Sequence, residues 1–177
     1  MIIVEGPDGG GKTRLIDTLS QQFSLPTSPR VVSKDTEAMV DIKRWVHENL
    51  EAGPQAMLFD RHRLISEPIY GAILRPEIRD DFRQPWKLVD YYRRFYKDCQ
   101  PLILYCLPPY GVVEANIAYD PDNDRVREHI KTIYDLYVMR ASVDVIHGQG
   151  VIIDYTDNPG SYQLASQEVS RWLLKHY

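Results

Sequence analysis

Residues 6 to 13 read Gly6-Pro7-Asp8-Gly9-Gly10-Gly11-Lys12-Thr13, a G-x-x-x-x-G-K-T pattern. Each residue type has a task in holding phosphate groups. Glycines let successive backbone N–H groups turn inward around anionic oxygens, and the start of a following helix adds its partial positive charge. Lys12 supplies an ammonium for the β- and γ-phosphates, and Thr13 a hydroxyl ligand for magnesium. Arg14 continues the segment, so Gly6, Asp8, Gly9, Gly10, Gly11, Lys12, Thr13 and Arg14 form the candidate cofactor-binding set. An ordinary glycine turn needs neither the Lys-Thr pair nor a strand before it and a helix after it. No N-K-x-D segment that reads guanine is present, so ATP with Mg2+ is expected.

A second set of groups stands at Asp60 and Arg61, which close an apolar run. Asp60 either coordinates magnesium, directly or through water, or accepts the proton of an attacking hydroxyl; the plain alternative is a turn cap. Arg61 suits a bidentate grip on an acceptor's phosphate, against the alternative of a structural ion pair. Arg125 and Arg127 follow a loop rich in turn formers, Asp120 to Asp124, and would fold over the γ-phosphoryl as a lid spanning about residues 118–128. Which of the two acts is open, and two arginines at a helix start are as often merely solvated. Glu5 and Asp8 flank the phosphate loop, where acids are costly unless paired. Five scattered histidines give no zinc-like spacing, and the metal candidates are Thr13 and Asp60, for nucleotide-bound magnesium.

These groups need a scaffold that brings them to one edge. Met1 to Glu5, Val31-Val32, Ala56 to Asp60, Leu102 to Cys106 and Val151 to Asp154 are strand-like, the last expected to be buried. Helical spacing appears at Leu15, Ile16, Leu19 and Phe23, at Met39, Ile42, Val46 and Leu50, and from Ser66 to Leu74. It recurs at Val89, Tyr92, Phe95 and Tyr96, at Ile130, Ile133, Tyr134, Tyr137 and Ala141, and at Ala165, Val169, Trp172 and Leu173. Strands alternating with helices predict a three-layer α/β/α fold around a mainly parallel sheet of about five strands, with chemistry after Glu5, Asp60, Leu107 and Asp154.

Composition sets the outer bounds. The 177 residues, 44% of them hydrophobic, suit a single domain over 1–177. A net charge of −4 and a pI near 5.7 disfavour a general nucleic-acid binder. Arg75 to Lys97 mixes cations and aromatics in the manner of a single-strand surface, but the acids among them favour a solvated helix face. Two cysteines, no apolar run of membrane length and no basic leader predict a cytoplasmic protein without membrane contact; a homodimer stays open.

The longer string Val4-Glu5-Gly6-Pro7-Asp8-Gly9-Gly10-Gly11-Lys12-Thr13 resembles the E-G-x-D-G-x-G-K-[ST] opening of thymidylate kinases. Phe59-Asp60-Arg61-His62, followed by Ser66 and Tyr70, is similar to the D-R-[YS] segment of thymidylate and deoxynucleoside kinases. Leu104 to Val112, with Pro108-Pro109, looks like their fourth strand and its turn, and Arg125-Val126-Arg127-Glu128 falls where they carry the lid. The resemblance implies a P-loop NTPase fold and a nucleoside or nucleotide substrate. By the same likeness Asp8 would meet a sugar hydroxyl, Glu5 would be the base or an outer magnesium ligand, Arg61 would hold the acceptor, and Tyr70 would line its pocket, unless Tyr70 is plain core. The family's R-E-P-G-G segment is absent, Val32-Ser33-Lys34-Asp35-Thr36 standing there, and His62 replaces an aromatic. Both departures lie on the acceptor side.

Three functions follow. The first is a P-loop kinase acting on a pyrimidine deoxynucleotide, thymidylate-like acceptor. The second is a kinase for a hydroxyl on a larger molecule, such as a hydroxymethyl pyrimidine in DNA. The third, from another class, is an NTP-hydrolysing switch with water as acceptor.

Overall fold

The run Ile2-Ile3-Val4 is apolar at successive positions because both of its faces are covered. The computed structural model describes residues 1–28, 36–76, 89–118, 124–156 and 160–177, and of residues 36–43 the backbone alone. Strands β1 (Ile2–Glu5), β2 (Leu58–Asp60), β3 (Leu102–Cys106) and β4 (Gly150–Ile153) form one sheet in the order β2-β1-β3-β4, with every neighbouring pair parallel. Around it lie α1 (Lys12–Phe23), α2 (Thr36–Ala52), α3 (Arg63–Leu74), α4 (Val89–Arg94) with a π-helical turn (Phe95–Cys99), α5 (Tyr110–Ile117), α6 (Asp124–Ile146) and α7 (Gly160–His176).

Side-chain alternation divides the core in two. Met1, Ile3, Phe59, Ile103 and Tyr105 pack with Val46, Leu64, Ile130 and Ile133 of α2, α3 and α6. Ile2, Val4, Leu58, Leu102 and Leu104 pack with Leu15, Leu19, Ala165 and Val169 of α1 and α7. This is the predicted α/β/α layering. The alternation also sorts the acids: Glu5 shares the parity of Ile3, whereas Asp60, in register with Val4, belongs to the face that α1 covers.

Among the described residues the sheet has four strands rather than five. The expected strand at Val31-Val32 lies outside the described residues, although Thr27 already bridges Leu58 in parallel on the outer edge of β2. The last strand is an edge rather than a buried one: Ile153 is covered, but Ile152 is 42% exposed. Val89 also leaves its predicted stripe and is 60% exposed, because α4 is short and its contact with the core comes from Phe95 in the π-helical turn. Helix α3 begins three residues earlier than its apolar spacing suggests. His62 caps it, its Nδ1 accepting from the Leu64 amide at 3.3 Å. Pro68 sits inside this helix and cannot bond the Leu64 carbonyl four residues back, which instead accepts from the Tyr92 hydroxyl at 2.8 Å.

Most of the mixed basic and aromatic stretch, residues 77–88, lies outside the described residues. Beyond it, Arg93 pairs with Asp90 and Arg94 with Glu51, as a solvated face would. No helix among the described residues is long and apolar enough to cross a membrane.

Candidate active site

The phosphate loop leaves β1 at Gly6 and enters α1 at Lys12, and packing rather than flexibility dictates its glycines. Gly6 has φ +137°, and a Cβ there would lie 2.5 Å from the Cys106 carbonyl oxygen. Gly11, at the helix N-cap with φ +84°, has the ring of Tyr155 in the place where a Cβ would be. Both positions therefore exclude side chains by backbone and by space. The loop is tied down from outside by Asn116 of α5, whose Nδ2 donates to the Gly9 carbonyl at 2.8 Å and to the Tyr155 hydroxyl at 2.9 Å.

The resulting cleft, about 360 Å3, is lined by Asp8, Gly9, Gly11, Lys12, Thr13, Arg14, Asp60 and Asn116. Lys12 is only 8% exposed, and its ammonium donates to the Pro7 carbonyl at 2.8 Å. Burial, reinforced by the charge of Arg61, lowers its pKa to about 8. An anion entering the cleft would reverse that shift, since it replaces water with opposite charge. Arg14 lies at the rim with its guanidinium 5.7 Å from the centre of the Tyr162 ring.

Magnesium has a fitting place here. Asp60 Oδ1 is buried and has no hydrogen-bond partner among the described residues, and it shares the cleft with Thr13. One carboxylate and one hydroxyl beside a phosphate loop suit an ion that keeps several waters and takes its other ligands from phosphate oxygens. The described residues hold no group of three or more His, Cys, Asp or Glu that would make a self-sufficient cage.

On the opposite face of the sheet a second cluster is assembled around Arg61. This residue sits in the left-handed region, φ +67°, while its amide still continues the ladder to the Val4 carbonyl at 3.0 Å. Such a backbone costs a non-glycine residue about 1–3 kcal/mol and needs enforcement by its surroundings. The enforcement is visible in the side chain. Arg61 Nη2 donates to Asp8 Oδ1 at 2.7 Å and to the Tyr70 hydroxyl at 2.8 Å, and the guanidinium lies 4.6 Å from the centre of the Tyr70 ring. Tyr70 in turn accepts from the Asp8 amide and donates to Asp8 Oδ2 at 2.9 Å. Burial alone would raise the Asp8 carboxyl, but the charges of Arg61 and Lys12 hold it at about 2.

Glu5 is wholly buried beside this cluster. Its Oε1 accepts from the His62 amide at 2.6 Å and its Oε2 from the Tyr137 hydroxyl at 3.0 Å. Burial nevertheless pushes the carboxyl up to about 7, against the lowering effects of those donors and of Arg61 and Lys12. His62 is also buried and is held down near 3, so its imidazole is neutral.

Glu5, Asp8, Lys12, Thr13, Asp60, Arg61 and Tyr70 thus lie together around the carboxyl ends of β1 and β2. Arg125 and Arg127 are exposed in the first turn of α6, Arg127 pairing with Asp124, and neither lines the cleft; residues 119–123 of the predicted lid lie outside the described residues. Sequence reasoning did not single out Asn116 and Tyr155, and it read Tyr137 as part of a packing stripe. Tyr155 was the findable one, because it follows the strand end where ligands were expected to collect.

No protein-family model matches the chain, and no curated protein matches it significantly. Solved structures do. The YorR protein of Bacillus subtilis, in complex with phosphorylated GDP, superposes with a TM-score of 0.63 at 18% identity, over 99% of this chain and 96% of that one. Deoxyadenosine kinase from M. mycoides with bound dATP gives 0.66 at 12% identity, over 96% of this chain and 98% of that one. The same enzyme with bound dCTP gives 0.60 at 15%. The chain shares the fold of these proteins, a parallel sheet with helices on both faces and a phosphate loop after β1. At these identities the likeness is one of architecture, and the function has to be argued from the site.

Proposed function

We propose that the chain is an ATP- and Mg2+-dependent phosphotransferase of the nucleoside or nucleotide kinase type, acting on a pyrimidine deoxynucleoside or its thymidylate-like monophosphate. The observation that carries this is a donor cleft with Lys12 at its floor adjoining a cluster of Glu5, Arg61 and Tyr70 on the other face of β1 and β2, the two meeting at Asp8, which lines the cleft and bonds Arg61 and Tyr70. A hydrolytic switch needs only the first. The pyrimidine preference rests on the resemblance of the opening motif and of Asp60-Arg61.

In this reading the loop amides and Lys12 hold the β- and γ-phosphates in place. Thr13 and Asp60 would hold Mg2+, which when bound would neutralise phosphate charge. Arg61 fixes the acceptor beside Asp8. Glu5 takes the acceptor's proton while the acceptor oxygen bonds the γ-phosphorus and the bond to the ADP oxygen breaks. A base near pH 7 serves a hydroxyl acceptor, because a phosphate oxygen is already ionised at that pH. That favours the sugar hydroxyl of a nucleoside, or the hydroxyl of a modified base in DNA, over a monophosphate. Arg125 and Arg127 would complete the charge around the γ-phosphoryl from a lid that closes on ATP.

The test is ADP formation with Mg·ATP and, in turn, thymidine, deoxycytidine, deoxyadenosine, dTMP, dCMP, hydroxymethyl-pyrimidine DNA, and no acceptor. Turnover should require thymidine, deoxycytidine, dTMP or dCMP, and turnover with deoxyadenosine alone would overturn the pyrimidine preference. Stoichiometric ADP release with water alone would establish the switch, and turnover confined to DNA would establish the larger acceptor.

A homodimer through α6 completes the proposal. Val138, Met139, Val145 and Ile146 are exposed apolar residues three and four positions either side of Ser142, so an antiparallel copy would set 138 against 146 and 139 against 145. The Ser142 hydroxyl already bonds the Val138 carbonyl at 2.8 Å and asks nothing of a partner. Sedimentation velocity should show a dimer that Ile146→Glu converts to monomer; a monomeric parent at all concentrations would remove the idea. A cytoplasmic setting fits two free, buried cysteines and a nucleotide substrate.

A further inference from the structure

We propose that Tyr137 is a positioning residue for phosphoryl transfer, its hydroxyl fixing the Glu5 carboxylate in the orientation from which it takes the acceptor's proton. This rests on the reading of Glu5 as proton acceptor. Tyr137 is completely buried midway along α6, between Ile133 and Ala141 on a stripe that also holds Val126, Ile130 and, one turn beyond Ala141, Asp144. A phenylalanine would fill that volume without a polar atom, so packing accounts for the ring and not for the hydroxyl. A hydroxyl buried among apolar neighbours is costly unless bonded, and this one donates to Glu5 Oε2 at 3.0 Å. With the His62 amide on Oε1 at 2.6 Å, each carboxylate oxygen has one donor, from two different parts of the fold. Rotation about the terminal bond of Glu5 would break both, and one lone pair on each oxygen stays free. The Tyr137 ring is itself held edge-on by Tyr70, centroids 6.1 Å apart, and Tyr70 bonds Asp8 and Arg61. One helix therefore braces both the base and the acceptor clamp.

Among the described residues, several groups act on Glu5 from the surrounding elements. Besides the His62 amide and Tyr137 they are Arg61 before α3, Lys12 of α1, Arg63 of α3, and Tyr105 and Cys106 of β3. The arginines stay charged across the working range, and burial pushes the Tyr105 hydroxyl up and the Cys106 thiol up to about 12. Losing the Tyr137 donor removes one of the two bonds that favour the charged carboxylate, and so moves the acid limb of the pH profile.

Tyr137→Phe tests this in the intact protein. The acid limb of log(kcat/KM) for the acceptor should move up by about one pH unit, giving about a tenfold loss on the acid side that recovers as pH rises, with KM for ATP unchanged. A second probe leaves the fold untouched: 3-fluorotyrosine at position 137 is a stronger donor and should move the same limb down. An active Tyr137→Phe protein with the parent's acid limb, or a fluorotyrosine protein with no downward shift, overturns the role of Tyr137 alone. A parent protein inactive toward every acceptor overturns the reading of Glu5 with it.

Discussion

Replacing Lys12 by methionine is expected to slow acceptor phosphorylation by on the order of 10³-fold while the protein stays folded. The ammonium sits at the floor of the donor cleft, 8% exposed, and donates to the Pro7 carbonyl. Its effect in a water-poor site is larger than that of the same charge in solvent. Methionine keeps the length and apolar stem and removes the charge. Stability should not fall, and the sign can be worked out. Lys12 has its pKa lowered from 10.5 to about 8 in the fold, so the charged form is disfavoured there, and this cost is fully present below pH 8 and gone above 10.5. Removing it at pH 7 leaves the Tm equal or higher. Rapid-quench phosphoryl transfer and a thermal scan with and without Mg·ATP measure both halves. The nucleotide-induced rise in Tm should shrink, because binding to the folded state is what produces it. A Lys12→Met protein within about tenfold of the parent's rate would falsify the assignment of the cleft.

Why the donor half could be read from sequence, and the acceptor half only in outline, follows from distance along the chain. The phosphate loop is contiguous: eight neighbouring residues carry the tight turn, the charge and the hydroxyl, and its flanking strand and helix announce themselves by apolar spacing. The acceptor cluster is assembled from afar. Tyr70 meets Asp8 across 62 residues, and Tyr137 meets Glu5 across 132. A tyrosine on a helical stripe looks the same whether or not its hydroxyl has a functional partner. Which face an acid takes was equally hidden. A strand covered on both sides is apolar throughout and shows no alternation, so nothing in Ile2 to Glu5 or Leu58 to Asp60 says that Glu5 and Asp60 diverge. The early start of α3 escaped notice because a histidine nitrogen did the capping, where serine, threonine, aspartate or asparagine is the usual signal. The sheet edge was misjudged for a related reason: Val151, Ile152 and Ile153 have the composition of a buried strand, and only the topology reveals that β4 has one neighbour among the described residues.

The divergence of the two acids leads to the other large effect, at Glu5, where function and stability should pull in opposite directions. Glu5 is fully buried and its pKa is raised from 4.5 to about 7, with burial as the leading cause. A carboxyl raised in this way favours the fold while it is protonated, below pH 4.5, and that contribution is lost as pH rises through 7. The difference, about two and a half pH units, corresponds to about 3 kcal/mol at pH 8. Glu5→Gln imitates the protonated form. Its amide oxygen can accept from the His62 amide, and its NH2 can donate to Tyr137, whose hydroxyl then turns to accept. The variant should therefore melt about 6–12 °C above the parent at pH 8 and close to it at pH 4.5, since about 2–4 °C accompanies each kcal/mol in a chain of this size. Phosphorylation of a hydroxyl acceptor should fall by about 10²–10⁴-fold, the usual contribution of a positioned base, and nucleotide binding should be retained. Melting curves at the two pH values and acceptor-dependent turnover decide the matter. If Glu5→Gln loses stability equally at both, the ionised carboxylate holds the fold together, and its strained burial is not what equips it to take a proton.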